Sequence, residues 1–195
     1  FQKMSDDIQV KMTTMNYGKG AEFDQYSRTG VIPEHHLNKA IKASLEEWTE
    51  GKSIDMSYID ARVQAHRKNY PGASPYDTYY WVTSARWRTG AMEIADRKSA
   101  LNQAPVYFYM FAYQTPAFGG FLKSPHRLEV PFVFNARDAV GQLTADDPEA
   151  IHLAQKMSKA WANFARTGNP GHASLPDWPA YDLPKRRTMI FDKAC

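Results

Sequence analysis

The chain has 195 residues, of which 43% are hydrophobic and 23% charged, so it can fold as one domain and bury a sizeable core. Its net charge of +3 is small and its basic residues are scattered, which argues against a nucleic-acid surface. No apolar run approaches the roughly 20 residues of a membrane span. A single cysteine, Cys195, excludes an internal disulfide and leaves the compartment open.

Both ends of the chain predict an excerpt from a longer polypeptide. The segment Phe1–Met4 has neither an initiator methionine at its start nor the charged and apolar regions of a signal peptide. Cys195 follows closely on a strand-like segment, whereas a native chain more often ends in a short polar tail. Processing or expression design would produce the same ends.

The first half of the chain predicts helices. After a weakly patterned stretch that ends at Pro33, apolar residues recur at helical spacing in three segments. Gly51 stops the first helix, and Gly90 is a weak point in the third. The predicted helices are 36–50, with Leu37, Ile41, Leu45 and Trp48 on the core face; 55–69, with Met56, Ile59, Val63 and Tyr70; and 77–101.

The second half predicts two strands around one more helix. The apolar run Val106–Tyr113 suits a strand buried on both faces, as in a parallel sheet covered by helices, and Gln114–Pro125 forms a loop after it. Asp146 or Asp147 caps the helix, and Thr188–Phe191 offers a last short strand. The apolar stripe of that helix comprises Ile151, Ala154, Met157, Trp161 and Phe164, and Gly168 ends it. Two short strands are too few for a stable parallel sheet, so we expect them to need neighbours.

One histidine follows the first predicted strand and its loop. A strand that delivers a loop carrying a histidine is how α/β-hydrolases place the base of a Ser-His-acid triad. Here that residue is His126, directly after Pro125. On its own, it could equally be a surface histidine without a role.

Five segments of the chain strengthen this interpretation when they are taken together. They are Ala104–Phe111, His126–Phe134, Met157–Pro170, Trp178–Tyr181 and Thr188–Phe191. In order and spacing they resemble the C-terminal third of the type-B carboxylesterases, the carboxylesterase–cholinesterase–lipase family. The resemblance runs from about Tyr70 to Cys195 and is weak before that.

The resemblance implies an α/β fold, the C-terminal portion of an α/β-hydrolase that is incomplete without an upstream part. Residues 1–103 would form a mainly helical region beside the sheet. Residues 104–195 would form the last sheet strands, the loop with the histidine and the C-terminal helix of the same domain. The resemblance implies no cofactor or metal, and it favours an extracellular or periplasmic location.

The resemblance also implies a carboxylic ester hydrolase in which His126 is the base of a Ser-His-Asp/Glu triad. The family's nucleophile lies in an upstream Gly-x-Ser-x-Gly frame, and the nearest approach here, Gly72–Tyr76, ends in tyrosine. Asp6 and Asp7 are unconvincing as the triad acid. The expected partners are therefore an N-terminal part of the same enzyme that carries the serine and a small-molecule ester, and we expect this chain to be inactive alone.

Residues near the histidine are predicted to assist it. Glu129 would orient the loop or join a buried hydrogen-bond network, and the alternative is an exposed carboxylate. Tyr113 and Phe118, which precede the histidine, would shape the wall of the substrate pocket. In the resembling family a small residue, often glycine, directly follows the histidine, whereas this chain has Arg127.

Other histidines and aromatic residues have plainer explanations. His35 and His36 point in different directions and have no third ligand at a suitable spacing, so a polar pair at a helix start is favoured over a metal site. We expect His66 to be a core or boundary residue with its hydrogen bonds satisfied. Core packing is favoured over a ligand gorge for Tyr76, Tyr79, Tyr80, Trp81 and Trp87.

A second function is compatible with the same fold. A non-catalytic adhesion or binding protein would need no base, because a fold does not determine its function. The presence of His126 favours the enzyme.

Overall fold

The computed structural model describes residues 31–49, 51–136, 141–144 and 147–195. The chain divides into two compact units, Phe1–Gly90 and Ala91–Cys195. The weak pattern at the start of the chain, the acid candidates Asp6 and Asp7, and the alternative cap Asp146 lie outside the described residues. Among the helices described, none has the length and apolar character that crossing a membrane requires.

Helices build the described part of the first unit. They are a 3₁₀ turn at Glu34–His36, α1 (Leu37–Trp48), α2 (Met56–Asn69) and α3 (Pro75–Ala100), which continues past the unit's end. Helix α1 buries Leu37, Ile41 and Leu45 on one face, as predicted. It ends two residues earlier than predicted, and Trp48 is half-exposed, so its predicted place in the core is wrong. Gly51 follows with a φ of +78°, a conformation that suits glycine and stops the helix.

Side-chain caps determine where α2 and α3 begin. The Asp55 carboxylate accepts a hydrogen bond from the N–H of Ser57 at 2.8 Å. Ser74 and Asp77 form a capping box ahead of Pro75: the Asp77 N–H donates to Ser74 Oγ at 3.1 Å, and the Ser74 N–H donates to the Asp77 carboxylate at 3.3 Å. Helix α3 therefore starts two residues before its predicted start.

The buried face of α2 differs from the predicted one. Ile59 and Val63 are buried, as predicted. Met56 and Tyr70 are 40% and 54% exposed, and His66 is buried instead. Met56 is the first residue of the helix and Tyr70 lies just beyond its last, so only the central turns pack.

Two parallel strands form the sheet of the second unit in the part of the chain that the structure describes. They are β1 (Tyr109–Phe111) and β2 (Met189–Phe191), with Tyr109 opposite Met189 and Phe111 opposite Phe191. Strand β1 is shorter than predicted, and its three residues are half-buried rather than buried on both faces. Among the described strands β1 has one neighbour, which leaves its backbone paired on one edge.

Helix α6 packs against this sheet and forms the core of the second unit. Ahead of it lie a 3₁₀ turn at Ala117–Gly120, α4 (Val130–Val133) and α5 (Gly141–Thr144), and α6 itself is Pro148–Thr167. Asp147 caps α6 and Gly168 ends it with a φ of +75°, both as predicted. Met157 is buried, as predicted, but Phe164 is half-exposed. The core around α6 includes Tyr113, Leu128, Phe132, Leu153, Trp178 and Phe191.

Candidate active site

Residues 114–127, here called the histidine loop, run between two buried residues. At its start, the N–H groups of Ala112 and Tyr113 both donate to the carbonyl of Phe191 on β2, at 2.8 and 3.2 Å. At its end, Leu128 is buried in the core around α6. The sheet and the core therefore hold the two ends of the loop in place.

Buried Thr115 closes the base of the histidine loop. Its N–H donates to the carbonyl of Lys123 at 2.9 Å, and its hydroxyl oxygen accepts from the N–H of Ala117 at 3.1 Å. The same hydroxyl donates to the carbonyl of Leu143 in α5. Sequence reasoning missed Thr115. The Thr115-Pro116 pair after a strand could have indicated it, because a threonine hydroxyl there can bond the backbone two residues on.

His126 lies in a tight turn near the end of the histidine loop. The N–H of Leu128 donates to the carbonyl of Pro125 at 3.1 Å, which closes a four-residue turn with His126 in its second position. Pro125 and Leu128 are buried, whereas His126 is exposed. The turn thus presents the imidazole to the outside from an anchored backbone.

Arg127 occupies the third position of this turn with a φ of +69°. A residue with a Cβ pays roughly 1 kcal/mol or more for this left-handed region, while glycine enters it freely. Type II turns require a positive φ at their third position. Glycine would therefore fit this backbone position with less strain than Arg127 does.

Glu129 lies at the start of α4 and is half-buried. Its carbonyl accepts hydrogen bonds from the N–H groups of Phe132 and Val133, both at 3.0 Å. Burial raises the pKa of Tyr109, and the negative charge of Glu129 raises it further. The Glu129 carboxylate therefore acts electrostatically on Tyr109 in β1.

Tyr113 and Phe118, the predicted pocket residues, lie in different surroundings. Tyr113 has no exposed surface, and its hydroxyl donates to Asp147 Oδ2 at 3.0 Å. Phe118 is half-buried in the 3₁₀ turn with a φ of +54°, and its ring centroid lies 6.4 Å from that of Phe121. A direct contact of Tyr113 with substrate stays a prediction that its complete burial disfavours.

The metal and nucleophile candidates outside the histidine loop lie at the starts of helices. The rings of His35 and His36 lie 4.2 Å apart, and no cluster of three or more His, Cys, Asp or Glu residues suited to a metal ion occurs in the described ranges. Ser74 donates its hydroxyl to the Asp77 carboxylate at 2.6 Å within the capping box of α3. This serine therefore begins a helix and does not stand on a strand-to-helix elbow.

His66 is buried, as predicted, but its hydrogen bonds are not satisfied. Its ring lies 5.0 Å from the rings of both Tyr70 and Trp81, and its Nδ1 atom has no hydrogen-bond partner. Burial is the main cause of a lowered pKa for His66; Asp77 opposes the shift and Arg67 adds to it. The expectation of a satisfied residue is therefore wrong for Nδ1, because no described residue supplies it with an acceptor or donor.

The aromatic residues of α3 divide between core and surface. Tyr76 and Tyr79 are buried in the core of the first unit, as predicted. Trp81 and Trp87 are about half-exposed, and the ring of Trp87 meets that of Trp48 edge-on at 5.7 Å. Core packing therefore explains only part of this group.

Comparison with known proteins identifies the family. The model of the carboxylesterase family matches residues 10–194, nearly the whole chain. The chain belongs to this family. His126, the exposed histidine between β1 and buried Leu128, therefore belongs to a carboxylesterase-family sequence.

The chain matches individual esterases over a limited part of their length. Para-nitrobenzyl esterase of Bacillus subtilis (strain 168) is 33% identical over 159 residues, which is 80% of this chain and 30% of the relative. Carboxylesterase 5A of Homo sapiens is 42% identical over 95 residues, or 45% of this chain and 16% of the relative. The chain therefore spans about a third or less of the relatives it matches.

Solved structures place the chain in the α/β-hydrolase class. The carboxylesterase EST55 of Geobacillus stearothermophilus aligns with a TM-score of 0.60 and 30% identity, covering 83% of this chain and 33% of that structure. An esterase from Clostridium hathewayi aligns with a TM-score of 0.57 and 26% identity, over 85% of this chain and 30% of that one. The predicted α/β-hydrolase portion, with sheet strands and several helices, is confirmed.

Proposed function

We propose that this carboxylesterase-family chain supplies the base of a serine esterase, and that the base is His126. The observation that carries the proposal is the anchored turn Pro125–Leu128, which exposes one imidazole from a backbone held by the sheet and the core. A general base must lie within hydrogen-bond reach of the proton that it takes, so the backbone that carries it has to be held in place. An exposed side chain on a fixed turn meets that requirement.

The reaction we assign is the hydrolysis of a carboxylic ester through an acyl-enzyme. His126 Nε2 would take the proton of a serine hydroxyl as that oxygen attacks the ester carbonyl, and would return the proton to the leaving alcohol. The same nitrogen would then activate the water that releases the acid. An acidic side chain bonded to Nδ1 would hold the ring in the tautomer that this sequence of steps needs.

The serine, the acid and the oxyanion-binding amides would come from an N-terminal part of the same enzyme. Ser74, the nearest approach to a nucleophile frame in this chain, is a helix cap whose hydroxyl is bonded to Asp77. Glu129 would help to orient the turn, and Phe118 would contact substrate from the 3₁₀ turn ahead of it. A small ester with a good leaving group is the suitable probe, since acyl and alcohol preferences depend on pocket walls that this chain only partly forms.

The test compares this chain alone with the same chain joined to an upstream part that carries the serine. The chain alone should hydrolyse p-nitrophenyl acetate no faster than free imidazole at equal concentration. The joined protein should show saturable turnover that a serine-directed phosphonate abolishes. Saturable, phosphonate-sensitive turnover by the chain alone would contradict the proposal, and so would a joined protein that binds esters without hydrolysing them.

A further inference from the structure

A single, largely buried carboxylate, that of Asp147, accepts three hydrogen bonds at the foot of the histidine loop. Tyr113 Oη donates to Oδ2 at 3.0 Å, and Lys193 Nζ reaches the same oxygen at 2.6 Å. The N–H of Glu149 donates to Oδ1 at 3.1 Å. The Asp147 side chain is 10% exposed, so these donors replace most of its contact with water. We call Tyr113, Asp147 and Lys193 the Asp147 latch.

The Asp147 latch joins three elements. Tyr113 is two residues beyond β1, at the point where the histidine loop leaves the sheet. Lys193 is two residues beyond β2, and its ammonium also lies 5.5 Å from the centre of the Tyr113 ring. Asp147 is the cap of α6. One carboxylate therefore fastens the ends of both strands to the start of the helix that packs against them.

The ionisation states of Asp147 and Tyr113 favour a strong hydrogen bond between them. Burial works to raise the pKa of Asp147, but hydrogen bonds from Lys193, Tyr113 and the Glu149 amide outweigh it and lower the pKa. Burial, and then the bond to Asp147, raises the pKa of Tyr113. At neutral pH the Asp147 carboxylate is therefore charged and the Tyr113 hydroxyl keeps its proton. A hydrogen bond to a charged acceptor is stronger than one between two neutral groups.

We propose that Tyr113 and Asp147 are positioning residues for His126. This inference rests on the proposed function. Thr115 follows Tyr113 by two residues and bonds to Lys123, three residues before the histidine. A displacement of Tyr113 would therefore displace Thr115 and Lys123, and through them the turn that carries His126. Small misplacements of a catalytic group are costly, since about 1 Å can reduce rate by about 100-fold.

The chain contains a matched control for this role. Tyr181 is also buried and donates its hydroxyl to a carboxylate, Asp96 Oδ1, at 2.5 Å. Arg186 Nη2 donates to the other Asp96 oxygen at 2.8 Å, just as a cation completes the Asp147 latch. This pair joins the end of α3 to the segment before β2 and has no bond to the histidine loop. Tyr113→Phe and Tyr181→Phe therefore remove the same hydroxyl from comparable settings.

The experiment uses the joined enzyme and measures kcat and KM for p-nitrophenyl acetate, the urea midpoint, and amide hydrogen exchange at Thr115 and Leu128. Tyr113→Phe should lower kcat by about tenfold at a KM within about twofold, and speed exchange at Thr115 by about tenfold. Asp147→Asn retains a capping side chain and should lower kcat in the same direction. Tyr181→Phe should lower the urea midpoint to a similar degree and leave kcat and Thr115 exchange near wild type.

Three results overturn the inference. The first is an unchanged kcat in Tyr113→Phe, whatever the exchange at Thr115. The second is an equal loss of kcat in Tyr181→Phe, which would trace the effect to general stability. The third is a reduced kcat in Tyr113→Phe with unaltered exchange at both amides. Failure of the proposed function gives a different result, near-normal turnover in His126→Ala.

Discussion

The two compact units differ in how some of their partly buried polar groups are paired. In the second unit, the carboxylates of Asp147 and Asp96 each accept bonds from a tyrosine hydroxyl and a basic side chain. In the first unit, the Nδ1 atom of His66 and two nitrogen atoms of Arg86 are buried without a hydrogen-bond partner among the described residues. The neutral indole N–H of Trp178 is an exception in the second unit.

In the first unit, aromatic rings lie beside the Arg86 guanidinium in place of hydrogen-bond partners. The Arg86 guanidinium lies 4.9 and 5.0 Å from the rings of Trp48 and Trp87, and burial lowers its pKa. Such contacts compensate a buried cation only in part. The comparison teaches that the carboxylates of the second unit are held by hydrogen bonds from charged partners, whereas in the first unit burial lowers the pKa of His66 and Arg86.

Removing the centre of the Asp147 latch should have the largest effect on stability. Asp147→Ala removes the cap of α6 and leaves the buried Tyr113 hydroxyl without an acceptor, so we expect a loss of about 2–3 kcal/mol in the free energy of unfolding. Urea denaturation measures it. Asp177 is exposed, and its replacement by Ala should change stability by less than about 0.5 kcal/mol. Equal effects of the two changes would show that the Asp147 latch contributes no more stability than an exposed carboxylate does.

The buried imidazole of His66 should make the first unit sensitive to acid. Its pKa in the folded chain lies below the ordinary value of 6.5, so the unfolded chain binds the proton more readily. Stability should be fully present above about pH 6.5 and fall as the pH drops below it, by about 1.4 kcal/mol for each unit of pKa lowering. Tryptophan fluorescence during urea denaturation at pH 7 and pH 5 measures this change, since Trp81 stacks on the ring.

Two variants sharpen the acid prediction. His66→Phe keeps an aromatic ring beside Tyr70 and Trp81 but cannot be protonated, so much of the loss between pH 7 and 5 should vanish. His35→Gln, at an exposed position in the same unit, should leave it in place. A pH dependence that survives in His66→Phe would assign the effect to another group.

A glycine after the histidine should relieve the turn. Arg127→Gly removes a Cβ from a residue with a φ of +69°, and we expect a gain of about 0.5–1 kcal/mol in the free energy of unfolding. Lys185 is a long cation in an exposed turn without a positive φ, so Lys185→Gly should be neutral or slightly destabilising. Destabilisation by Arg127→Gly would show that the guanidinium has contacts that outweigh the backbone strain.

Local signals in the sequence predicted much of the fold. Asp147 and Gly168 cap and end α6 as expected, because capping depends on residues within one turn of the helix. The exposure of Trp48 and Phe164 was not predictable in this way. Helical spacing tells which face a residue occupies but not how far along the helix the neighbouring element extends.

The sequence motif of the candidate site was predictable, but the contacts that hold the histidine loop in place were not. The segment His126–Phe134 and its four companion segments correctly indicated the carboxylesterase family. The latch bond between Tyr113 and Asp147 joins residues 34 positions apart, and Lys193 is farther still, so no local pattern indicated it. The assignment of His126 as the base stays a prediction.

The turnover of His126→Ala in the joined enzyme tests the account most directly. With p-nitrophenyl acetate, we expect kcat to fall by about 1,000-fold or more while the urea midpoint stays near wild type, as loss of a triad member does. His152→Ala, at an exposed position on α6, should stay within about tenfold of wild type. Turnover of His126→Ala within tenfold of wild type would contradict the account.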